Sequence, residues 1–350
     1  RQDRTAMVIR PDGSDRILAS SHAAWQLVTA ARSLLIATHA NPDADAVASV
    51  LALRLAVMDL VPAVVCATGD FTVPRNLRFL PGASTLLSDP RDLPEDIETI
   101  VLLDCADPTR LGPLYHARQR WFEGSIPIVN IDHHVTNTWF GQANLIAPSA
   151  AATTEIMTQW FLAIGIDLTA DMATCLLTGL YGDTLSFQTS STSPEAHELA
   201  ALLLKKGARQ EEIVTNLFRR KPVSTILLWG AALSRARVEP PVIWTEVTRD
   251  MLETTGAIAA EGEGIVNFLS GAEGTIVAIL FYEQPEGWRV SVRSADSSVD
   301  VAAICQHFGG GGHPRAAGCR LPPGEPSRRA FLDYVRSVVT ERTGSELHTG

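Results

Sequence analysis

SLLIATHANPDAD (33–45) is a short apolar run that ends in a histidine and two aspartates. A similar arrangement recurs in TIVLLDC (99–105) and IPIVNID (126–132), where an apolar run again ends beside an aspartate. Each run is long enough for a buried strand. Helix-like sequence such as VASVLALRLAVMDL (47–60) lies between the runs. This order of strand, helix and strand predicts a mainly parallel sheet covered by helices on both faces.

The alternation continues on both sides of these segments. HAAWQLVTAAR (22–32) has helical spacing, and PAVVCAT (62–68) predicts a further strand. APSAAATTEIMTQWFLAIG (147–165), DMATCLLTGLYGD (171–183) and EAHELAALLLKKG (195–207) predict helices, and helical sequence continues to about residue 235.

The sequence pattern changes in the second half of the chain. RVEPPVIW (237–244) predicts a domain boundary, because two consecutive prolines break regular structure. TIVAILFYEQPEGWRVSVRS (275–294) predicts a hairpin of two alternating strands, and AAICQHFGGGGHPRAAG (302–318) predicts a helix that runs into a glycine-rich turn. We therefore predict an α/β fold with a polar lead-in at 1–22, a first domain at 23–190, a helical connector at 191–236, a smaller α/β domain at 237–342 and a tail at 343–350.

The composition limits the class of protein. A chain of 350 residues is long enough for two hydrophobic cores. Its net charge of −10 argues against a surface for long duplex nucleic acid, which needs a basic stripe. No apolar run reaches the roughly 18 residues of a membrane helix, so we expect no membrane partner. Five cysteines without a CxxC pair are typical of reduced cysteines in a cytoplasmic protein.

Each of four apolar runs is followed by a segment with aspartates or histidines. These four polar segments lie at 39–45, 102–107, 131–134 and 181–184. The carboxyl ends of parallel strands meet at one edge of a sheet, so three of the four segments are expected there. Six side chains are then candidate metal ligands: His39, Asp43, Asp45, Asp104, His133 and Asp183. Two divalent cations would neutralise the four carboxylates. Mixed imidazole and carboxylate ligands suit manganese, with magnesium, cobalt or iron as alternatives.

HANPDAD, LLDCAD, IDHH and YGDT together resemble the four signature motifs of the DHH phosphoesterase superfamily, and GGGGHPRAAG resembles the motif of its DHHA-type C-terminal domain. The order and spacing fit the nanoRNase and pAp-phosphatase branch, which also includes cyclic-di-AMP phosphodiesterases. The resemblance covers about residues 23–340. It implies a DHH catalytic domain, a DHHA substrate-binding domain and a catalytic cleft between them.

The resemblance also implies roles for individual residues. One metal would be held by His39 and Asp43, the other by Asp45 and His133, with Asp104 and Asp183 contacting both. His134 would face the scissile phosphate, and Asp132 would orient a histidine. Five residues of the second domain would bind substrate: Arg293, Gly310, Gly311, Gly312 and His313. Arg315 is only a neighbour of these.

Each residue also has a plainer interpretation when it is taken alone. Asp104 or Asp183 would be an ordinary helix N-cap, and Asp132 a structural carboxylate. Gly309–Gly312 would be a flexible joint and Arg293 a surface residue of a strand. Five motifs in the family's order favour the metal site.

The resemblance implies a hydrolase that converts short oligoribonucleotides to nucleoside monophosphates, or 3′-phosphoadenosine 5′-phosphate (pAp) to AMP, by attack of a hydroxide that two metals activate. Cyclic di-AMP and linear dinucleotides are alternative substrates, and a nucleotide receptor without turnover is the alternative of another class. The expected partner is a short RNA or small nucleotide, with a homodimer as a possible state. A dinucleotide-dependent oxidoreductase is excluded, because no G-x-G-x-x-G follows the first strand.

Overall fold

The computed structural model describes residues 14–346. Parts of the predicted lead-in and tail lie outside these residues, namely 1–13 and 347–350. Two compact units divide between Arg220 and Lys221, so the predicted connector at 191–236 spans the division. Helix α1 begins at Ser14, inside the segment that we predicted as a polar lead-in.

The first unit alternates strands with helices. Its strands are β1 (Ser33–Thr38), β2 (Ala63–Thr68), β3 (Leu86–Leu87), β4 (Thr99–Leu103), β5 (Ile128–Asp132) and β6 (Ala143–Ile146). Its helices are α1 (Ser14–Ala30), α2 (Ala44–Val57), α3 (Pro113–Ala117), α4 (Thr153–Ala163), α5 (Ala170–Asp183), α6 (Pro194–Lys205) and α7 (Gln210–Val214). A π-helical turn at Thr215–Arg219 follows α7.

The strands of the first unit form one parallel sheet in the order β3-β2-β1-β4-β5-β6. From β1 the following strands are added on one side of the sheet, and from β4 they are added on the other. The strand order therefore reverses between β1 and β4, and doubly wound sheets bind ligands at such a point. The predicted parallel α/β sheet is confirmed. Its two faces are covered unequally: α1, α2, α4 and α5 pack on one core, and α3 with short turns and loops covers the other.

Two helices begin at different residues from those predicted, and both differences lie next to the candidate site. Helix α2 begins at Ala44 because the side chain of Asp43 accepts a 3.0 Å hydrogen bond from the Ala46 N–H and caps the helix. Helix α4 begins only at Thr153, after an extended Ala152. The candidate ligands Asp43 and Asp45 thus belong to a helix start rather than to a free loop.

The second unit is a mixed sheet with helices on both faces. Its strands are β7 (Arg237–Glu239), β8 (Val242–Val247), β9 (Val277–Gln284), β10 (Gly287–Ser294), β11 (Gly311–His313) and β12 (Ala316–Leu321). Its helices are α8 (Val223–Ser234), α9 (Arg249–Thr255), α10 (Ile265–Leu269), α11 (Val301–His307) and α12 (Glu325–Glu346). The strand order is β11-β12-β10-β9-β8-β7, with only β8 and β9 parallel.

Three predictions for the second half can be compared with this sheet. The hairpin at 275–294 is confirmed as β9 and β10. The proline pair Pro240–Pro241, predicted to mark a boundary, forms the turn between β7 and β8. The glycine-rich turn after α11 is shorter than predicted, because Gly311–His313 pairs with β12 as an edge strand.

Two further expectations concern cysteines and membranes. All five cysteines are buried and none is in a disulfide. Among residues 14–346, no helix combines the length and the apolar character needed to cross a bilayer.

Candidate metal centre

The candidate ligands lie at the carboxyl ends of three neighbouring strands of the first sheet. His39 follows β1, Asp104 follows β4, and His133 follows Asp132 at the end of β5. Asp45 lies in the first turn of α2, and Asp183 is the last residue of α5. The structure therefore brings segments from five elements to the crevice where the strand order reverses.

Three groups of three side chains have ligand atoms within 4.8 Å of one another, and one of them consists of Asp104, His133 and His134. The other two contain the six predicted ligands, and we call them the two ligand groups: His39, Asp43 and Asp104, and Asp45, His133 and Asp183. Asp104 links them: its Oδ2 lies 3.5 Å from Nε2 of His39, and its Oδ1 lies 3.5 Å from Nε2 of His133. In the second group, Nε2 of His133 lies 3.1 Å from Oδ2 of Asp183. The arrangement provides two adjacent ligand sets with one carboxylate between them.

Backbone carbonyls orient the two imidazoles. Nδ1 of His39 lies 2.9 Å from the carbonyl oxygen of Ala40, and Nδ1 of His133 lies 3.3 Å from that of Ala150. A proton on each Nδ1 satisfies these contacts and leaves the Nε2 lone pair directed at the carboxylates. Metal-binding histidines commonly have this arrangement, in which one nitrogen is a donor to the protein and the other is free for the metal.

Asp45 is completely buried, and the start of α4 compensates for its burial. Its Oδ2 accepts a 2.6 Å hydrogen bond from the Thr153 N–H, and its Oδ1 accepts bonds from the Thr154 N–H at 3.0 Å and hydroxyl at 2.7 Å. A carboxylate is favourable at this position, because the helix N-terminus has free N–H groups and a positive partial charge. Asp45 is thus held rigidly beside the ligand group.

Thr153 also holds Asp104. The Thr153 hydroxyl donates a 2.9 Å hydrogen bond to Oδ1 of Asp104, which is itself almost fully buried. Sequence reasoning did not identify Thr153 or Thr154 as parts of the site. The available signal was the pair of hydroxyl residues in the segment with N-cap-type residues before the helix at 147–165.

Asp104 has an unusual backbone conformation. Its φ of 55° is in the left-handed region, which a residue with a side chain rarely adopts. Such strain often accompanies a functional residue, because the surrounding structure must enforce it. Here the Asp104 N–H donates to the Ile131 carbonyl oxygen at 2.9 Å, and this bond fixes the carboxylate at the end of β4.

His134 lies beside the two ligand groups and is paired with Asp132. Nδ1 of His134 lies 2.6 Å from Oδ1 of the fully buried Asp132. Asn137, which sequence reasoning missed, donates to Oδ2 of Asp132 at 2.6 Å and to Oδ1 of Asn130 at 2.8 Å. Asp132 is therefore bonded to Nδ1 of His134, and the role of orienting a histidine that the resemblance implies for Asp132 stays a prediction.

The carboxylates raise the proton affinity of the site. Burial lowers the pKa of His39 and of His133, but the bonds to Asp104 and Asp183 and the nearby negative charges outweigh it and raise these pKa values to about 9 and about 10. Burial, together with the neighbouring carboxylates, raises the pKa of Asp43 to about 6. The pKa values of Asp45 and Asp183 are raised chiefly by burial as well.

The raised pKa values indicate that the site favours added positive charge. Four carboxylates this close favour added positive charge, which protons supply in the metal-free protein. The donor set of imidazole nitrogens and carboxylate oxygens, with two carboxylates already held by hydroxyls and N–H groups, suits divalent cations. The residues therefore fit a pair of divalent cations, one at each ligand group.

The predicted substrate-binding residues lie together in the second unit. Arg293 is on β10, and its direct neighbour on β12, Ala316, is paired with His313 of β11. Nε of Arg293 donates to Oδ1 of Asn267 at 2.7 Å, and burial lowers the pKa of this arginine. Arg315 donates to the carbonyl oxygens of Ser294 and Ala295 and so fastens the turn to the end of β10.

Comparison with known proteins gives matches along most of the chain. Residues 33–180 match the profile of the DHH family, N-terminal domain, and residues 251–341 match that of the DHHA1 domain. The bifunctional oligoribonuclease and PAP phosphatase NrnA of Thermus thermophilus is 34% identical over 314 residues, which cover 90% of each chain. NrnA of Bacillus subtilis is 24% identical over 67% of this chain and 73% of its own.

A solved structure shows the same fold. An exopolyphosphatase-related protein from Bacteroides fragilis superposes with a TM-score of 0.81 at 22% identity, and the match covers 91% of this chain and 96% of the other.

Proposed function

Since this chain belongs to the DHH family of phosphoesterases and is a hydrolase of phosphoester bonds, we propose that it cleaves short oligoribonucleotides to nucleoside monophosphates and removes a phosphate from pAp. The observation that carries the proposal is the similarity to the Thermus thermophilus NrnA over nine-tenths of both chains. That protein is named as an oligoribonuclease and PAP phosphatase. Both named substrates are small and present phosphoester bonds.

The proposed metal site consists of the two ligand groups that Asp104 links. Two divalent cations bound there supply Lewis acidity, which lowers the pKa of water and stabilises negative charge on phosphoryl oxygens. We propose manganese, because mixed imidazole and carboxylate ligands suit it. Asp104 and Asp45 are fixed by hydrogen bonds from Thr153 and Thr154, so the chain positions their oxygens before any ligand binds.

His134 has the proposed role of a donor to the substrate. The hydrogen bond with Asp132 is the main reason that the pKa of His134 is raised, although burial opposes it. The bond fixes a proton on Nδ1, and a protonated Nε2 can donate to a phosphoryl or leaving oxygen. His134 is partly exposed, whereas Asp132 behind it is fully buried. The imidazole, and not the carboxylate, can therefore contact a ligand.

A substrate panel tests the proposal. We expect manganese-dependent release of AMP from pApA, from a five-nucleotide oligoadenylate and from pAp, read by product chromatography, and loss of all activity with a chelator. Turnover should also be lost in Asp104→Ala and retained in Asp92→Asn, which removes an exposed carboxylate from a short helical turn of the same unit. Retained activity in Asp104→Ala would contradict the proposed site.

Adding cyclic di-AMP and pyrophosphate to the panel separates the alternatives. Hydrolysis of cyclic di-AMP without release of AMP from the short RNA or from pAp would favour a cyclic-dinucleotide phosphodiesterase. Tight nucleotide binding with no turnover of any compound would favour a receptor. Turnover of pyrophosphate alone would identify a different substrate class and overturn the proposal.

A further inference from the structure

One face of the second sheet changes character between neighbouring strands. Helices α8, α9 and α10 pack on β8 and β9 through an apolar layer. Three side chains of β9 belong to this layer: Ala278, Leu280 and Tyr282. Their direct cross-strand neighbours on β10 are, in the same order, Arg293, Ser291 and Arg289. The sheet face that is apolar and covered over β9 is therefore polar over β10.

The polar face continues onto β12 and β11. Arg289 is paired with Arg320, Ser291 with Gly318, and Arg293 with Ala316. On the edge strand, Gly311 is paired with Gly318, and His313 with Ala316. Three rows thus cross the strands, and we call the middle row, Ser291, Gly318 and Gly311, the trough. Because its residues are small, the trough is lower than the row on either side.

The two rows beside the trough differ in whether the family resemblance assigns them a role. One contains Arg293 and His313, which the family resemblance already connects with substrate. The other contains Arg289 and Arg320, which are paired directly across β10 and β12. Like charges in that position repel and destabilise a sheet unless an anion lies between them.

Neither arginine of the second row is neutralised by a close partner. The Arg289 guanidinium stacks on the Tyr282 ring at 5.0 Å, and its buried Nε has no hydrogen-bond partner. Within the described part of the chain no carboxylate forms an ion pair with it. Arg320 has one carboxylate within ion-pair distance, Glu286 at 3.6 Å, and both side chains are largely exposed. An exposed pair of this kind contributes little.

A pocket of about 490 Å³ adjoins the two arginines at the start of β11. Its lining includes Arg289, Ser291, Gly309, Gly310, Gly318 and Arg320. The glycines expose main chain, a hydroxyl comes from Ser291, and no acidic residue lines the pocket. In a chain with a net charge of −10, this composition is a local site for an anion.

We propose that Arg289 and Arg320 bind a second phosphate of an oligonucleotide substrate, one that a dinucleotide held at Arg293 does not reach. This inference rests on the proposed function. Arg289 and Arg293 are four positions apart on an extended strand, a distance of about 13 Å. Stacked nucleotides rise by only about 3.4 Å each. The second row therefore contacts longer substrates and makes affinity depend on chain length.

The experiment compares KM for a two-nucleotide and a five-nucleotide oligoadenylate in five variants. Arg289→Gln, Arg320→Gln and the double variant remove the charges, whereas Arg289→Lys keeps the charge but loses the planar fork. Arg329→Gln is the matched control, because Arg329 is an exposed arginine on α12, which packs on the opposite face of the sheet. Melting curves verify that each variant is folded, and the exposed Arg320 provides a test if Arg289→Gln fails to fold.

In the double variant we expect the ratio of the five-nucleotide KM to the two-nucleotide KM to rise about tenfold, the size of one missing charge-assisted hydrogen bond. The slope of log KM against log salt for the longer substrate should fall by about 0.7 for each phosphate that an arginine no longer neutralises. Arg289→Lys should recover part of the ratio, and Arg329→Gln should match the wild type.

An unchanged ratio in the double variant overturns the inference, and so does an equal rise in KM at both lengths. A site for free inorganic phosphate would appear as an effect of added phosphate that the double variant loses at both lengths, which also overturns it. If the wild type hydrolyses no nucleotide of any length, the proposed function has failed instead, and the two failures are distinguishable.

Discussion

The hydroxyl of Thr153 donates a 2.9 Å hydrogen bond to Oδ1 of Asp104, the carboxylate between the two ligand groups. The other oxygen of Asp104 faces His39 at 3.5 Å. Thr153 also donates its N–H to Asp45. The first residue of α4 therefore holds one carboxylate from the end of β4 and one from the start of α2.

Replacing Thr153 by valine tests this coupling. The change keeps the shape of the side chain but leaves Oδ1 of Asp104 without its donor, so we expect a loss of manganese affinity or of kcat/KM by about 10–100-fold, the usual size for a residue that supports a metal ligand. Calorimetric titration and kinetics measure the two quantities. Thr158→Val is the control, because Thr158 is equally buried on α4 but its hydroxyl donates to the Thr154 carbonyl and not to a candidate ligand. Equal behaviour of the two variants would refute the role of Thr153.

Asp132→Asn tests the pairing with His134. The hydrogen bond with Asp132 is the largest cause of the raised pKa of His134, so removing the charge should lower that pKa. In metal-free protein, an NMR titration of the His134 ring measures it directly. A His134 pKa that stays raised in the variant would show that another group controls it.

Metal binding and proton binding compete at His39 and His133. Their pKa values are raised to about 9 and about 10, mainly because the carboxylates outweigh the effect of burial. In metal-free protein the stabilisation by these protonated rings is complete below their ordinary pKa near 6.5 and is lost as pH rises through about 9–10. A divalent cation must displace the protons, so its affinity rises over the same range.

The expected outcome is a manganese-induced increase in Tm, relative to chelator, that is larger at about pH 8.5 than at about pH 6.5. Differential scanning calorimetry at both pH values measures it. Asp104→Ala should show a much smaller increase at either pH. An increase that shrinks as pH rises would contradict the assignment of the histidines as ligands.

The predictable part of the fold followed from local sequence. A five- or six-residue apolar run that ends in Asp104 or beside His39 has little alternative to a buried parallel strand, and the strand ends then determine the crevice. Five of the six candidate ligands could be proposed for the same reason, since their segments follow such runs, whereas Asp183 ends the helix α5.

The unpredicted part depended on long-range contacts. Thr153 and Asp45 are 108 positions apart, and nothing in either segment specifies the other. The edge strand Gly311–His313 was also missed, because a glycine-rich segment has low strand propensity and pairs only when β12 is already present. Both the Thr153–Asp45 contact and the edge strand depend on tertiary structure.

Gly179 lies in helix α5 at a position where no larger residue fits. A Cβ there would clash with Oδ1 of Asp45 and with the side chain of Thr154, so α5 can approach α2 and α4 only with glycine. Gly179→Ala should therefore lower the free energy of unfolding by about 1–3 kcal/mol, the usual cost of overpacking, and weaken manganese binding. Gly230→Ala is the matched control, because Gly230 lies in helix α8 and a Cβ there meets nothing within 4 Å. That change should be neutral or stabilise by up to about 1 kcal/mol, since alanine is the better helix former. Urea unfolding of the two variants gives the comparison, and a Gly179→Ala protein as stable as Gly230→Ala would mean that the helices are not packed as closely as the site requires.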